Sequence, residues 1–172
     1  NQTAWVDDVE VVLDGRIEDF THAPGTILGM PLGYTTQTTN GWVNQNTVTT
    51  DPSGSVLAFA AQAGAVYSGG NTWMRRQVDM TTKDTDGNLK FMWKTYSGNK
   101  QLKVEVRNSA SQLVGQKSIG GGVNWSQSSV IRLLKGDTYT ITWTYTNNDA
   151  TGQANQTAWV DDVEVVLDGR IE

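Results

Sequence analysis

The sequence contains no cysteine and only one histidine, His22. The first absence excludes disulfides and thiolate metal sites. It sets the chain apart from secreted eukaryotic modules stapled by bridges and fits a bacterial extracellular protein better. The second leaves little for acid–base or nucleophilic chemistry. His22 stands beside the turn His22-Ala23-Pro24-Gly25 with no nucleophile motif next to it, and reads as a loop residue. Carboxylate pairs occur, but glycoside hydrolysis needs two of them across a cleft, and no spacing singles out such a pair. No apolar run approaches the roughly 20 residues of a membrane-spanning helix, so no membrane insertion is expected. No stretch shows the periodicity of an amphipathic helix. An excess of basic residues is also missing, with 13 Lys and Arg against 18 Asp and Glu, which speaks against a nucleic-acid partner.

What is present is a repeat. Asn1 to Glu18, NQTAWVDDVEVVLDGRIE, returns unchanged as Asn155 to Glu172, an internal period of 154 residues and the size of one domain. The expectation is an array of near-identical modules. Residues 1–18 are then a copy of the closing strand from a preceding repeat, and residues 19–172 are one β-sandwich repeat module. A duplication made at the bench would read the same. The formal charge of −5 counts the acidic segment twice: each copy holds five acids and one base, so the body 19–154 carries +3. An acidic strand closes a mildly basic body. The junction between repeats is only a few residues long, which makes neighbouring repeats the first expected partners and limits their relative freedom. Both copies suit the same sheet position. One of them is therefore expected on another edge or in a neighbouring molecule, as in a strand-exchanged homo-oligomer.

Strand signals recur along the body. Alternation puts Leu89, Phe91, Trp93 and Thr95 on one face of Asn88–Tyr96, and Leu102, Val104 and Val106 on one face of Gln101–Asn108. Asp137–Thr146 is the clearest strand, with Tyr139, Ile141, Trp143 and Tyr145 inward and the threonines between them outward. Shorter strands are expected at Ser55–Ala60, Ala65–Ser68, Thr72–Met80, Gln112–Ile119 and Ser128–Leu134. His22–Asn46, rich in Gly, Pro, Thr and Asn, reads as loops and short irregular strands. Ser97-Gly98-Asn99-Lys100 reads as a hairpin turn, and so does Asp84-Thr85-Asp86-Gly87-Asn88, which echoes the opening of a calcium loop but lacks its closing Glu. In the closing strand Ala158–Leu167, alternation sets Trp159, Asp161, Val163, Val165 and Leu167 on one side and Val160, Asp162, Glu164 and Val166 on the other. Many short strands with one apolar face specify an all-β, antiparallel β-sandwich.

Two stretches carry a family resemblance. Gly136-Asp137-Thr138-Tyr139-Thr140-Ile141-Thr142-Trp143, a polar loop, and then Ala158-Trp159-Val160-Asp161-Asp162-Val163 resemble the ending of bacterial lectin-like jelly-roll modules. These include carbohydrate-binding modules whose last strand reads (Tyr/Trp)-Ile-Asp-Asp-Val, and the related MAM-type domains. Ile17-Glu18-Asp19-Phe20 resembles the acidic-aromatic opening of the same class in a different order, whereas Thr21–Gln45 matches no pattern. The resemblance implies a jelly roll, and a structural calcium ion tying the first strand to the last through Glu18, Asp19 and Asp161 or Asp162. A hard cation takes about six to eight oxygen ligands, which clustered carboxylates supply. The alternative is that one of Asp161 and Asp162 faces solvent while the other hydrogen-bonds a loop.

Trp42, Trp73, Trp125 and Tyr96 fall near expected loops or on outward faces, where an exposed ring stacks on the C–H face of a sugar. They are the candidate polysaccharide-binding residues, against the competing reading of core packing assigned to Trp93, Trp143 and Trp159. The outward threonines of Asp137–Thr146 reflect β-propensity. The sequence thus reads as a non-enzymatic repeat module of a secreted bacterial surface adhesin, acting as an extender at the cell surface. The alternative is a carbohydrate-binding module used in multivalent array.

Overall fold

Alternating apolar and polar residues form strands throughout the computed structural model, which describes residues 16–18, 33–45, 60–150 and 157–169. In chain order the strands are β1 (Arg16–Glu18), β2 (Tyr34–Thr36), β3 (Val43–Gln45), β4 (Ala60–Gln62), β5 (Gly70–Asp79), β6 (Gly87–Thr95), β7 (Lys100–Arg107), β8 (Leu113–Gly120), β9 (Ser126–Gln127), β10 (Ile131–Leu133), β11 (Thr138–Asn147) and β12 (Ala158–Leu167). The described residues contain no helix, and so none long and apolar enough to cross a membrane.

The strands form two antiparallel sheets. The first has the order β10-β6-β12-β4-β3, with β1 also on β12 and β9 also on β6; the second has the order β2-β5-β11-β7-β8. From β4 onward the chain changes sheet at most connections and stays in one sheet only between β7 and β8 and between β9 and β10. Alternation of this kind, giving β4-β12-β6-β10 against β5-β11-β7-β8, is a jelly roll. Two turns expected to be hairpins therefore have a different role. Residues 96–99 and 80–86 join strands of opposite sheets, so each arches across the core. The turn chemistry is local, but the choice between pairing and arching is made by where the next apolar face must go. Lys100 shows this at the start of β7. It is buried, donates to the Ser97 carbonyl at 3.0 Å and pairs with Asp149.

Other expectations shift in detail. Ala65–Ser68 is a loop, pinned where Asn147 Nδ2 donates to the Val66 carbonyl at 2.8 Å. Ser128–Leu134 is shortened to β10, and the short β9 precedes it, both on the edge of β6. Leu57 and Phe59, and residues 1–13 of the first copy, lie outside the described residues. The C-terminal copy closes the first sheet, bonded to β6 on one side and to β4 and β1 on the other.

Both sheets contribute to one core. Tyr139, Ile141, Trp143 and Tyr145 of β11 face Leu89, Phe91 and Trp93 of β6 and Ala158, Val160, Val163 and Val165 of β12. Trp143 is its centre: its ring meets Phe91 edge-on at 5.5 Å and tilts against Tyr34 at 6.2 Å, and Phe91 meets Trp93 edge-on at 5.2 Å. Trp42 is part of this core. Its backbone N–H is held by Thr36 Oγ1 at 2.7 Å, and Thr72 Oγ1 donates to the Asn40 carbonyl at 2.6 Å, so the turn before β3 is drawn in against the body. Gly64 permits that approach, since a Cβ there would lie 2.0 Å from the Asn40 carbonyl oxygen.

The packing separates neighbours on β11. Trp143→Ala removes the ring at the centre and should cost about 3–5 kcal/mol. Thr142→Ala, on the outer face, should cost well under about 1 kcal/mol. Urea denaturation of the two variants checks this, and equal costs would reverse the face assignment.

Candidate functional site

The outer face of the second sheet is a polar grid set by register. Across β5, β11 and β7 one row reads Trp73, Thr144, Lys103, the next Arg75, Thr142, Glu105, and the next Gln77, Thr140, Arg107. Strands lie about 4.8 Å apart and alternate residues about 7 Å apart, so the grid is spaced on the scale of a sugar ring. Trp73 is its aromatic member and is half-buried. Arg75 orders it, with the guanidinium carbon 4.9 Å from the indole centroid and Nε donating to Thr142 Oγ1 at 3.2 Å. Lys103 Nζ and Arg107 Nη2 lie 2.9 and 3.6 Å from the Glu105 carboxylate. The face thus combines an apolar ring surface with hydrogen-bond donors and acceptors held in fixed rows, the combination that orients a polyhydroxylated ligand.

The outer face of the first sheet is organised by a bulge. Asp161 lies opposite Met92 and Glu164 opposite Lys90, so Asp162 and Val163 together face the single residue Phe91. Asp162 adopts a φ of 48°, a left-handed conformation that a short polar side chain tolerates, and its N–H donates to Asp161 Oδ1 at 2.8 Å. The extra residue reverses the phase of the strand. Val163 and Val165 enter the core together with Ala158 and Val160, while Trp159 is placed on the outer face, correcting its expected inward position. There it is only 2% exposed, with Nε1 donating to Gln62 Oε1 at 3.1 Å. Lys94 Nζ sits 5.5 Å from the Trp159 ring and 6.0 Å from the Trp125 ring, and burial holds its pKa below the usual lysine value. Beside the bulge opens a cavity of about 400 Å³ lined by Lys90, Phe91, Met92, Gln127, Asp162 and Glu164, with Lys90 and Glu164 paired at 2.7 Å.

The four candidate sugar-binding residues are not brought together. Trp42 is 1% exposed and has no face to offer, so the expectation for it is corrected: the short strands around it plug the core. Trp73 lies on the outer face of the second sheet and Trp125 near the outer face of the first. Tyr96, 40% exposed, lies at the end of the sandwich where β6 turns into β7, its ring 6.0 Å from Lys100 Nζ. Lys100 in turn holds the Asp149 carboxyl below the usual range. Of the expected metal ligands, the pairing of β1 with β12 sets Glu18 opposite Val163, one residue from Asp162. Asp161 is buried, and Asp19 lies outside the described residues. Among the described residues no three Asp, Glu, His or Cys side chains gather as a metal site. Asp86, in the stretch that echoes a calcium loop, instead accepts from Arg132 Nη2 at 2.9 Å and from the Lys135 N–H at 2.8 Å. The sequence reading missed Lys94 and Gln62, and the signal for them was the Asp161-Asp162 doublet at which the alternation of the strand slips.

No protein-family model matches the chain, and no curated protein matches it in sequence. Solved structures do match its fold. The K3 cleaved adhesin domain of Lys-gingipain from Porphyromonas gingivalis W83 is similar over 79% of this chain and 92% of its own, at 13% identity and a TM-score of 0.52. TmCBM61, solved with β-1,4-galactotriose, is similar over 78% of this chain and 87% of its own, at 10% identity and a TM-score of 0.52. The CBM22-1 xylan-binding domain of Paenibacillus barcinonensis Xyn10C is similar over 87% of this chain and 91% of its own, at 10% identity and a TM-score of 0.51. At these identities the likeness is one of fold: the chain has the β-sandwich architecture that carbohydrate-binding modules and adhesin domains share.

Proposed function

We propose that the chain is a non-catalytic glycan-recognition module, used in repeated copies by a secreted bacterial surface adhesin, with the outer face of the second sheet as its ligand face. The observation that carries this reading is Trp73, an indole on an open sheet face, ordered by Arg75 and set in rows with Thr142, Thr144 and Gln77. Trp42 and Trp159 are almost fully buried, and Trp125 and Tyr96 lie on other parts of the surface, away from this grid. The ligands named for two of the similar structures, β-1,4-galactotriose and xylan, support a chain of β-linked sugars as the first class to try. A single aromatic on a shallow face binds weakly. Repetition compensates, because linked copies raise avidity by about 10²–10⁴. The extender reading rests on the sequence identity of residues 1–18 and 155–172, and it is compatible with binding in the same array.

Titration of the protein with xylan and β-1,4-galactan, followed by tryptophan fluorescence and extended to a glycan array, tests the proposal. Trp73→Ala should weaken binding at least about 10-fold, a loss near 1.4 kcal/mol, with an unchanged melting temperature. A parent protein that binds no glycan on the array, or a Trp73→Ala variant that binds as the parent does, contradicts it.

The same reading includes a structural calcium ion between β1 and the bulge of β12, held by Glu18 and Asp19 with Asp161 or Asp162. Carboxylate oxygens are the donors that a hard cation takes, and the ion would fasten β1 to the closing strand. Millimolar calcium should then raise the melting temperature over that in excess chelator by mass action, and identical melting curves would remove the ion from the account.

A further inference from the structure

The chain enters and leaves this sandwich at the same end. β12 runs from Ala158, opposite Thr95, to Leu167, opposite Gly87, and Leu133 of β10 also lies opposite Gly87. This end, the lower one, also carries the 80–86 arch, the turn at Lys135-Gly136 and the β7–β8 hairpin, since Arg107 lies opposite Thr140 near the start of β11. β1 is antiparallel to β12 and begins at Arg16, opposite Glu164, running on to Glu18 opposite Val163. Its direction is away from the lower end, so the chain comes to it from there. The exit is fixed to the same place. The Asp168 N–H donates to the Asp86 carbonyl at 2.8 Å, and the Asp168 carboxylate pairs with Arg132 Nη1 at 2.7 Å.

The repeated sequence gives this geometry a consequence. Residues 170–172 are Arg-Ile-Glu, identical to β1, and only Asp168-Gly169 separate them from β12. In an array, the strand that closes one copy and the strand that opens the next are therefore joined by two residues, a span of about 10 Å. The next copy is also entered from its lower end, so two lower ends must face each other across the junction. Exposed aliphatic side chains gather at that end. Leu113 and Val114 begin β8 beside Gly115, whose backbone abuts Ile131 of β10, and Val130 and Leu134 flank β10, with Leu134 56% exposed. Among the described residues the other large exposed hydrophobics, Tyr67 and Tyr96, belong to the opposite end. We propose that successive copies of this module dock lower end to lower end, the aliphatic margin of β8 and β10 packing on a second copy. The sandwiches then radiate from the junctions, presenting their upper loops and the outer face of the second sheet. This inference rests on the array reading and is independent of glycan binding.

The absence of cysteine makes a direct test possible. The full chain is lengthened by one period, a second 19–172, and a calorimetric unfolding enthalpy about twice that of the parent confirms that both copies fold. Spin labels are placed at Ala110→Cys in both copies, at the lower end, or at Ser68→Cys in both copies, at the upper end. The proposal expects the Ala110 pair within about 30 Å and the Ser68 pair beyond about 50 Å, since a ten-residue strand is about 33 Å long. An Ala110 pair separated by more than one strand length, with a short distance between Ser68 of one copy and Ala110 of the other, means head-to-tail stacking and overturns it. Leu134→Lys with Leu113→Lys in both copies should broaden a narrow Ala110 distance distribution. A parent distribution already as broad means a tether without docking, and also overturns it.

Discussion

The structure depends on one backbone irregularity, the bulge at Asp161-Asp162. β12 is an inner strand, hydrogen-bonded on both flanks, so its side chains have no freedom to choose a face one at a time. A strand with the sequence Ala-Trp-Val-Asp-Asp-Val-Glu-Val-Val-Leu cannot satisfy the core at a strict period of two. Keeping Ala158 and Val160 inward would bury Asp162 and Glu164 in the same face and turn out Val163 and Val165. One residue in the left-handed conformation resolves the conflict, because the phase reverses and all four apolar residues meet the core. The cost is modest for Asp, whose neighbour's carboxylate accepts the displaced N–H.

That reversal is also what makes the two outer faces different. On the first sheet it expels Trp159, which Gln62 and Lys94 hold, and it opens the cavity at Asp162. On the second sheet no bulge interrupts β5 or β11, and their ten-residue register leaves an even grid with Trp73 as its aromatic member. The arches between sheets keep the faces in place. Arg132 joins Asp86 to Asp168 at one end, where the Lys135 N–H and then Arg132 hold the Asp86 carboxyl below its usual value, and Lys100 joins the 96–99 arch to Asp149 at the other.

Much of this was legible in the sequence, and the parts that were not have a common cause. β6, β7 and β11 alternate without interruption, so the inward set of Leu89, Phe91, Trp93, Leu102, Val104, Tyr139, Ile141, Trp143 and Tyr145 could be read directly. The ends of the closing strand were equally plain. Trp42 could not be placed, because its burial comes from contacts of Thr36, Asn40 and Gly64 far from any periodic segment. Trp159 was misplaced because periodicity reads residues in sequence and a bulge is a change in the count. The arches at 80–86 and 96–99 looked like hairpins because a turn's residues specify its bend and not the sheet that its second strand joins. Trp73 and Trp125 lie on or near outer faces, and Tyr96 at one end, on three separate parts of the surface; one platform built from all of them is not part of the fold.

The bulge is also the point at which the account is most exposed. At a left-handed position glycine is at ease and a β-branched residue is strained, by about 1–2 kcal/mol. In a regular strand the preference is the opposite, with glycine the weaker residue by about 0.5–1 kcal/mol. Comparing Asp162→Gly with Asp162→Val by urea denaturation in excess chelator, so that metal binding plays no part, separates the two cases. The account predicts that the glycine variant stays within about 1 kcal/mol of the parent and the valine variant falls clearly below it. A valine variant as stable as the glycine variant, or more stable, would mean that the closing strand is regular and that the faces assigned to Trp159, Val163 and Val165 are wrong.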